Sequence, residues 1–160
     1  MRHALALLLA VPAIVAADAP ATQFDPIRFF EGRTQGRGTL KIVMRGPQPV
    51  AVEGRGRVEA DGTLVLTQVV TQGAEAPRSR EWRIRQSTPG HYVGSLSDAV
   101  GPVTGESDGG TLTLRFPGKG AAIEQVLTLA PDGRSAHNVL TARKLGIRVA
   151  VLDETISRID

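Results

Sequence analysis

The sequence predicts an all-β domain, an antiparallel meander of about eight to ten strands closing into a barrel. Three observations predict it. Short runs in which apolar and polar residues alternate recur from Gly36 to the end, while the helical period is almost absent. Turn residues separate the runs at nearly regular intervals, with Asp61-Gly62, Asp108-Gly109-Gly110 and Asp132-Gly133 the clearest. The connections are hairpin-sized with no long crossover, and a meander of that kind protects its edges by closing on itself.

Taken in order, Thr39 to Met44 places Leu40, Ile42 and Met44 on one face before Gly46-Pro47-Gln48-Pro49 breaks the run. Val50 to Val58 follows, with Gly54 and Gly56 on its apolar face, which predicts a bend or a close backbone approach. Thr63 to Thr71 leads to a polar loop, Gln72 to Pro77. Ser79 to Gln86 turns Trp82 and Ile84 inward and Arg83 and Arg85 outward, and Thr88-Pro89-Gly90 leads into His91 to Leu96. Val100 to Ser107 is short and punctuated by glycine. Thr111 to Phe116 aligns Leu112, Leu114 and Phe116, and Ala122 to Leu129 aligns Ile123, Leu127 and Leu129. Ser135 to Thr141 and Ile147 to Ile156 complete the chain. A barrel of this size is packed solid or holds one small ligand, and the pattern leaves both open.

Ahead of the strands, Met1 to Ala17 reads as a cleavable export signal: Arg2, the apolar run Ala4 to Val11, then Val15-Ala16-Ala17 at a cleavage site. Residues 4–17 are fewer than the roughly 20 a membrane span needs. The expected organisation is a signal over 1–17, a flexible lead-in over 18–28 and one barrel domain over 29–160, exported to the periplasm. With no cysteine in the chain, disulfides and lipid attachment at cysteine are excluded.

The isoelectric point of 9.9 overstates the basic character, since the net charge is only +3 and the cations are interspersed with acids. No nucleic-acid partner is expected. Aromatic content of 4% does not supply the girdles of a membrane barrel, so no stable membrane insertion is expected.

Catalytic patterns are missing. No serine lies in a Gly-x-Ser-x-Gly elbow. His91 and His137 have no neighbouring ligands at metal spacing, and Gly32, Gly36 and Gly38 lack the ending of a phosphate loop. Asp153 and Glu154 are adjacent and so face opposite sides of a strand. The sequence therefore predicts neither an enzyme nor a metal or cofactor.

A series of short motifs nonetheless occurs in a recognisable order: Phe30-Glu31-Gly32, Gly36-x-Gly38, Arg80-x-Trp82, Tyr92-x-Gly94, Asp98-Ala99-Val100-Gly101 with Gly105, Asn138, and Lys144-Leu145-Gly146-Ile147. In this the chain resembles the bacterial family catalogued as domain of unknown function 3833. The resemblance implies an exported, lipocalin-like barrel without established activity and a link to membrane fatty-acid modification. Two departures stand out: no lipid-anchoring cysteine, and Ala130-Pro131-Asp132-Gly133 where the family carries an acidic-aromatic stretch. The matched residues give a candidate ligand site of Arg80, Trp82, Tyr92, Asp98, Asn138 and Lys144. Trp82 and Tyr92 offer apolar rings, and the others offer groups to orient a head group. The expected partner is a small apolar or lipid-like molecule; the alternative is a packed barrel, with Trp82 as a plug, acting through a protein partner.

Overall fold

The computed structural model describes residues 22–160; the expected export signal lies outside the described residues. Ten antiparallel strands run β1 Gly32–Ile42, β2 Gln48–Val58, β3 Leu64–Gln72, β4 Arg78–Thr88, β5 His91–Leu96, β6 Val103–Asp108, β7 Thr111–Gly118, β8 Ala121–Leu129, β9 Ser135–Lys144 and β10 Ile147–Arg158. Each pairs with its successor, and β10 returns to β1 in register from Thr34↔Arg158 to Ile42↔Ala150, so the barrel is closed and has no free edge. The turn chemistry is as the sequence requires. At Asp61-Gly62, Gly62 takes a φ of +83° and Asp61 Oδ1 accepts from Thr63 N at 3.0 Å.

Alternation decides what faces inward. On β2, Val50, Val52, Gly54 and Gly56 are buried while Glu53, Arg55 and Arg57 are exposed; on β4, Trp82 and Ile84 are buried while Glu81, Arg83 and Arg85 are exposed. This charged outer wall is the reverse of the apolar belt that a membrane barrel presents. No helix among the described residues is long and apolar enough to cross a membrane.

Part of the stretch expected to be a flexible lead-in is instead built into the fold. Pro26–Phe30 forms a one-turn helix, α1, capped by Asp25, whose Oδ1 accepts from Ile27 N at 2.9 Å. Phe24 is fully buried and its ring lies tilted by 44° against Phe29 with centroids 5.1 Å apart, and Phe29 meets Phe30 edge-on at 4.9 Å. Phe24 N donates to Gly109 O at 2.8 Å and Ser107 Oγ donates to Phe24 O at 2.6 Å. Gly56 leaves room for the Phe30 carbonyl, since a Cβ there would lie 2.9 Å from Phe30 C. The segment stops one end of the barrel, the helix end. The connections β1–β2, β3–β4, β5–β6, β7–β8 and β9–β10 lie at the other, the hairpin end.

Candidate ligand site inside the barrel

Two separate apolar clusters fill the barrel. The larger joins Phe24, Phe29 and Phe30 to Leu64, Leu66, Trp82, Ile84, Leu114, Leu127, Ala136 and Ile156, among others. The smaller joins Val50, Val52, Val70 and Leu152, with Leu40 and Leu140 against it. Between them the inward phase of three strands turns polar: Gln68 stands between Leu66 and Val70 on β3, Asn138 between Ala136 and Leu140 on β9, and Glu154 between Ile156 and Leu152 on β10. Arg80 on β4 and Gln125 on β8 complete the layer.

Small residues on the neighbouring strand make the space. A Cβ at Gly36 would lie 2.8 Å from Glu154 Cδ and overlap Oε1, so only glycine lets the carboxylate rest there. Gln68 Oε1 accepts from Arg80 Nε at 2.8 Å and from Trp82 Nε1 at 2.9 Å, which fixes both groups. The guanidinium also lies over the indole, 5.6 Å from its centroid. Asn138 Nδ2 donates to Glu154 Oε2 at 2.8 Å. The opposite amide orientation would set an oxygen against the carboxylate.

Three buried acceptors, Gln125 Oε1, Asn138 Oδ1 and Glu154 Oε1, have no partner among the described residues. Unpartnered buried polar atoms are uncommon, and each costs about 1–3 kcal/mol. Arg80 is in no ion pair among the described residues. Burial pushes the Glu154 carboxyl above its ordinary pKa, against the pull of Asn138 and Arg80. Burial likewise lowers the Arg80 pKa, opposed by the charges of Asp98 and Glu154.

Gln68, Arg80, Trp82, Gln125 and Glu154 line a cavity whose walls are Leu64, Leu66, Ile84, Leu114 and Ile156 and whose floor is Pro26 and Phe30; Asn138 reaches it only through its bond to Glu154. Its volume is about 30 Å³ measured as space for water centres, room for one or two waters.

The structure places the six residues singled out from sequence in three regions. Arg80, Trp82 and Asn138 belong to the interior layer. Tyr92 is buried too, but at Gly105 on the β5–β6 ladder, where burial raises its hydroxyl pKa. Asp98 lies on the β5–β6 connection and pairs with Arg78, not Arg80, at 2.9 Å. Lys144 is exposed at the hairpin end. Gln68 and Gln125 went unread, and Glu154 was weighed only as a pair with Asp153. The available signal was a polar residue in the inward phase of an apolar run, as in Leu66-x-Gln68-x-Val70. No group of three or more His, Cys, Asp or Glu that could hold a metal occurs among the described residues.

Fold and interior together define a lipocalin-like closed barrel with a polar layer between two apolar cores. Three solved structures share the fold. An S-type phycobiliprotein lyase, CPES, from Guillardia theta matches with a TM-score of 0.64 and 10% identity over 84% of this chain and 90% of that one. Rv2717c from M. tuberculosis matches at 0.64 and 19% identity, over 85% and 99%. A protein of unknown function of the DUF3598 family from Nostoc punctiforme matches at 0.63 and 14% identity, over 89% and 53%. No curated protein sequence matches. The chain belongs to the family described as protein of unknown function, DUF3833, whose model matches residues 7–153.

Proposed function

We propose that this barrel is a periplasmic binding module for a small amphipathic molecule, held with its head group in the polar layer and its apolar part against the Leu64, Leu66, Ile84 and Leu114 walls. The observation that carries this reading is the convergence of two unpartnered buried acceptors, Gln125 Oε1 and Glu154 Oε1, and the Arg80 guanidinium on one cavity. Acceptors call for donors, and Arg80 calls for an acceptor. A carboxylate head would add a second negative charge beside Glu154, with only Arg80 to offset the pair. The matching head is therefore neutral and both donates and accepts, as a primary amide or an alcohol does. An apolar tail exceeds the present cavity, so binding requires the floor formed by Pro26 and Phe30 to move. Lipid-like ligands of this kind fit a role beside membrane fatty-acid chemistry.

The small cavity favours a second reading, a packed barrel whose polar layer is completed by water and which acts through a protein partner. Thermal melts of delipidated protein with decanamide, decanol and decanoate at neutral pH separate the two. A ligand that binds only the folded state raises the midpoint. The amide and alcohol should raise it, and decanoate much less. If none of the three does, and gently purified protein shows no lipid-sized adduct by native mass spectrometry, the packed barrel is the correct reading.

A further inference from the structure

Five of the seven large apolar side chains exposed on the described chain lie at the hairpin end: Val43, Met44, Val100, Leu145 and Ile147. Four of these belong to two adjacent hairpins, β1–β2 and β9–β10, which the β1–β10 ladder and the Val43 N to Val149 O bond at 2.9 Å hold side by side. Met44 is 99% exposed, Leu145 94%, Ile147 70% and Val43 59%.

The backbone at the two tips makes this placement unusual. Met44, at φ 63°, and Leu145, at φ 50°, are the only non-glycine residues with positive φ among the described residues. Left-handed backbone disfavours residues with a Cβ and is tolerated best by Gly and Asn. The two-residue turn Leu145-Gly146 is where Asn-Gly is the favoured pair. Both hairpins thus carry a large apolar residue, facing water, at the position where it fits the backbone worst. Folding gives no reason for the choice at either site.

The charge around the tips is of one sign. Lys41, Arg45, Arg143, Lys144 and Arg148 are exposed around the tips. No Asp or Glu occurs between residues 41 and 52 or between 142 and 152. None of the five cations is in an ion pair among the described residues. The acids elsewhere at this end are Glu75 on the β3–β4 connection, Asp98, which Arg78 holds, and Glu124 on β8, which Arg115 holds.

We propose that the two hairpin tips dock the barrel reversibly on an anionic phospholipid surface. Met44 and Leu145 enter the boundary between head groups and acyl chains, with Val43 and Ile147 behind them, and the five cations meet lipid phosphates. Exposed apolar residues ringed by Lys and Arg are the pattern of interfacial binding, whereas the core of a protein–protein interface is depleted of charge. Each cation close to an anionic leaflet raises partitioning about fivefold. Salt screens that gain. The docking stands apart from ligand binding within the barrel, because no residue of the polar layer takes part.

The test is co-sedimentation of the protein with phosphatidylcholine vesicles and with vesicles containing about one-third phosphatidylglycerol, a fraction high enough to give a strong negative surface potential. The variants are Met44→Asn/Leu145→Asn and Lys144→Glu/Arg148→Glu. Wild type should bind the anionic vesicles, release in high salt and bind the neutral ones weakly. The Asn pair should lose binding at least tenfold while melting no lower than wild type, which separates loss of docking from loss of fold. The charge-reversed pair should lose the salt-sensitive part. Equal binding to both vesicles, no binding to either, or undiminished binding by the Asn pair would each overturn the proposal. So would a dimer that forms without lipid and that the Asn pair abolishes.

Discussion

Replacing Gly36 by Ala places a methyl group where the Glu154 carboxylate rests, with the new Cβ 2.8 Å from Cδ and overlapping Oε1. The backbone there does not need glycine for its conformation, since Gly36 is not among the positive-φ positions. The entire penalty therefore comes from displacing a buried carboxylate, which must give up the 2.8 Å bond from Asn138 or leave its rotamer. Overpacking of this kind costs about 1–3 kcal/mol. A cycle isolates the effect. In a Glu154→Ala background the obstacle is absent, and Gly36→Ala should be neutral or stabilise by about 0.4–1 kcal/mol by restricting the unfolded chain. The coupling energy between the two sites is thus about 1–4 kcal/mol, the difference between the two backgrounds and at the upper end for touching residues. Urea unfolding of the four proteins at one pH reads it directly. An equal effect of Gly36→Ala in both backgrounds would show that the carboxylate does not lie over β1, and the polar layer as described would be wrong.

Three further outcomes follow from the same structure. Phe24→Ala should destabilise by about 3–5 kcal/mol, because a fully buried ring leaves a cavity at the helix end; a loss under about 1 kcal/mol in urea unfolding, below that range, would mean the segment is not part of the core. Glu154→Gln should change the pH dependence of stability. Burial holds the folded pKa of Glu154 above its ordinary 4.5, so the folded state binds the proton more tightly than the unfolded state does. Wild-type stability should fall as pH rises from that ordinary value through the folded one, and the Gln variant should lose this decline; parallel curves of midpoint against pH would contradict the raised pKa. Leu145→Asn should stabilise the fold by about 1 kcal/mol, since Asn tolerates the left-handed region better than Leu, and a thermal melt checks the sign.

The strands were legible because every one of them is bounded by chemistry that acts locally. Asp61-Gly62 and Asp132-Gly133 specify their turns, and alternation such as Leu112-x-Leu114-x-Phe116 specifies a face. Gly54 and Gly56 were legible as sites of close approach but not in what approaches them: the Thr34 side chain and the Phe30 carbonyl, both distant in sequence. The plug was missed because residues 18–28 mix Ala and Pro with polar residues, although Asp25-Pro26 carries a helix start and Phe24 and Phe29 an apolar face. The polar layer was legible only in part. Arg80, Trp82 and Asn138 came from the motifs that carry the family resemblance, whereas Gln68, Gln125 and Glu154 gain meaning only once the register sets Asn138 opposite both Leu127 and Glu154. Asp98 was grouped with Arg80 in the candidate site, but the rim connection presents it to Arg78.

Calorimetric titration of decanamide into delipidated wild-type protein and into Gln125→Leu decides whether the polar layer holds a head group. Gln125 Oε1 has no partner among the described residues, so its removal spares the fold and takes away only what a ligand uses. Wild type should bind, and the variant should bind about tenfold more weakly, the equivalent of one hydrogen bond of about 1.4 kcal/mol. Equal affinities would contradict the account by showing that the polar layer does not hold the head group, and absence of heat in both would show that the barrel is not a binding module for this class of molecule.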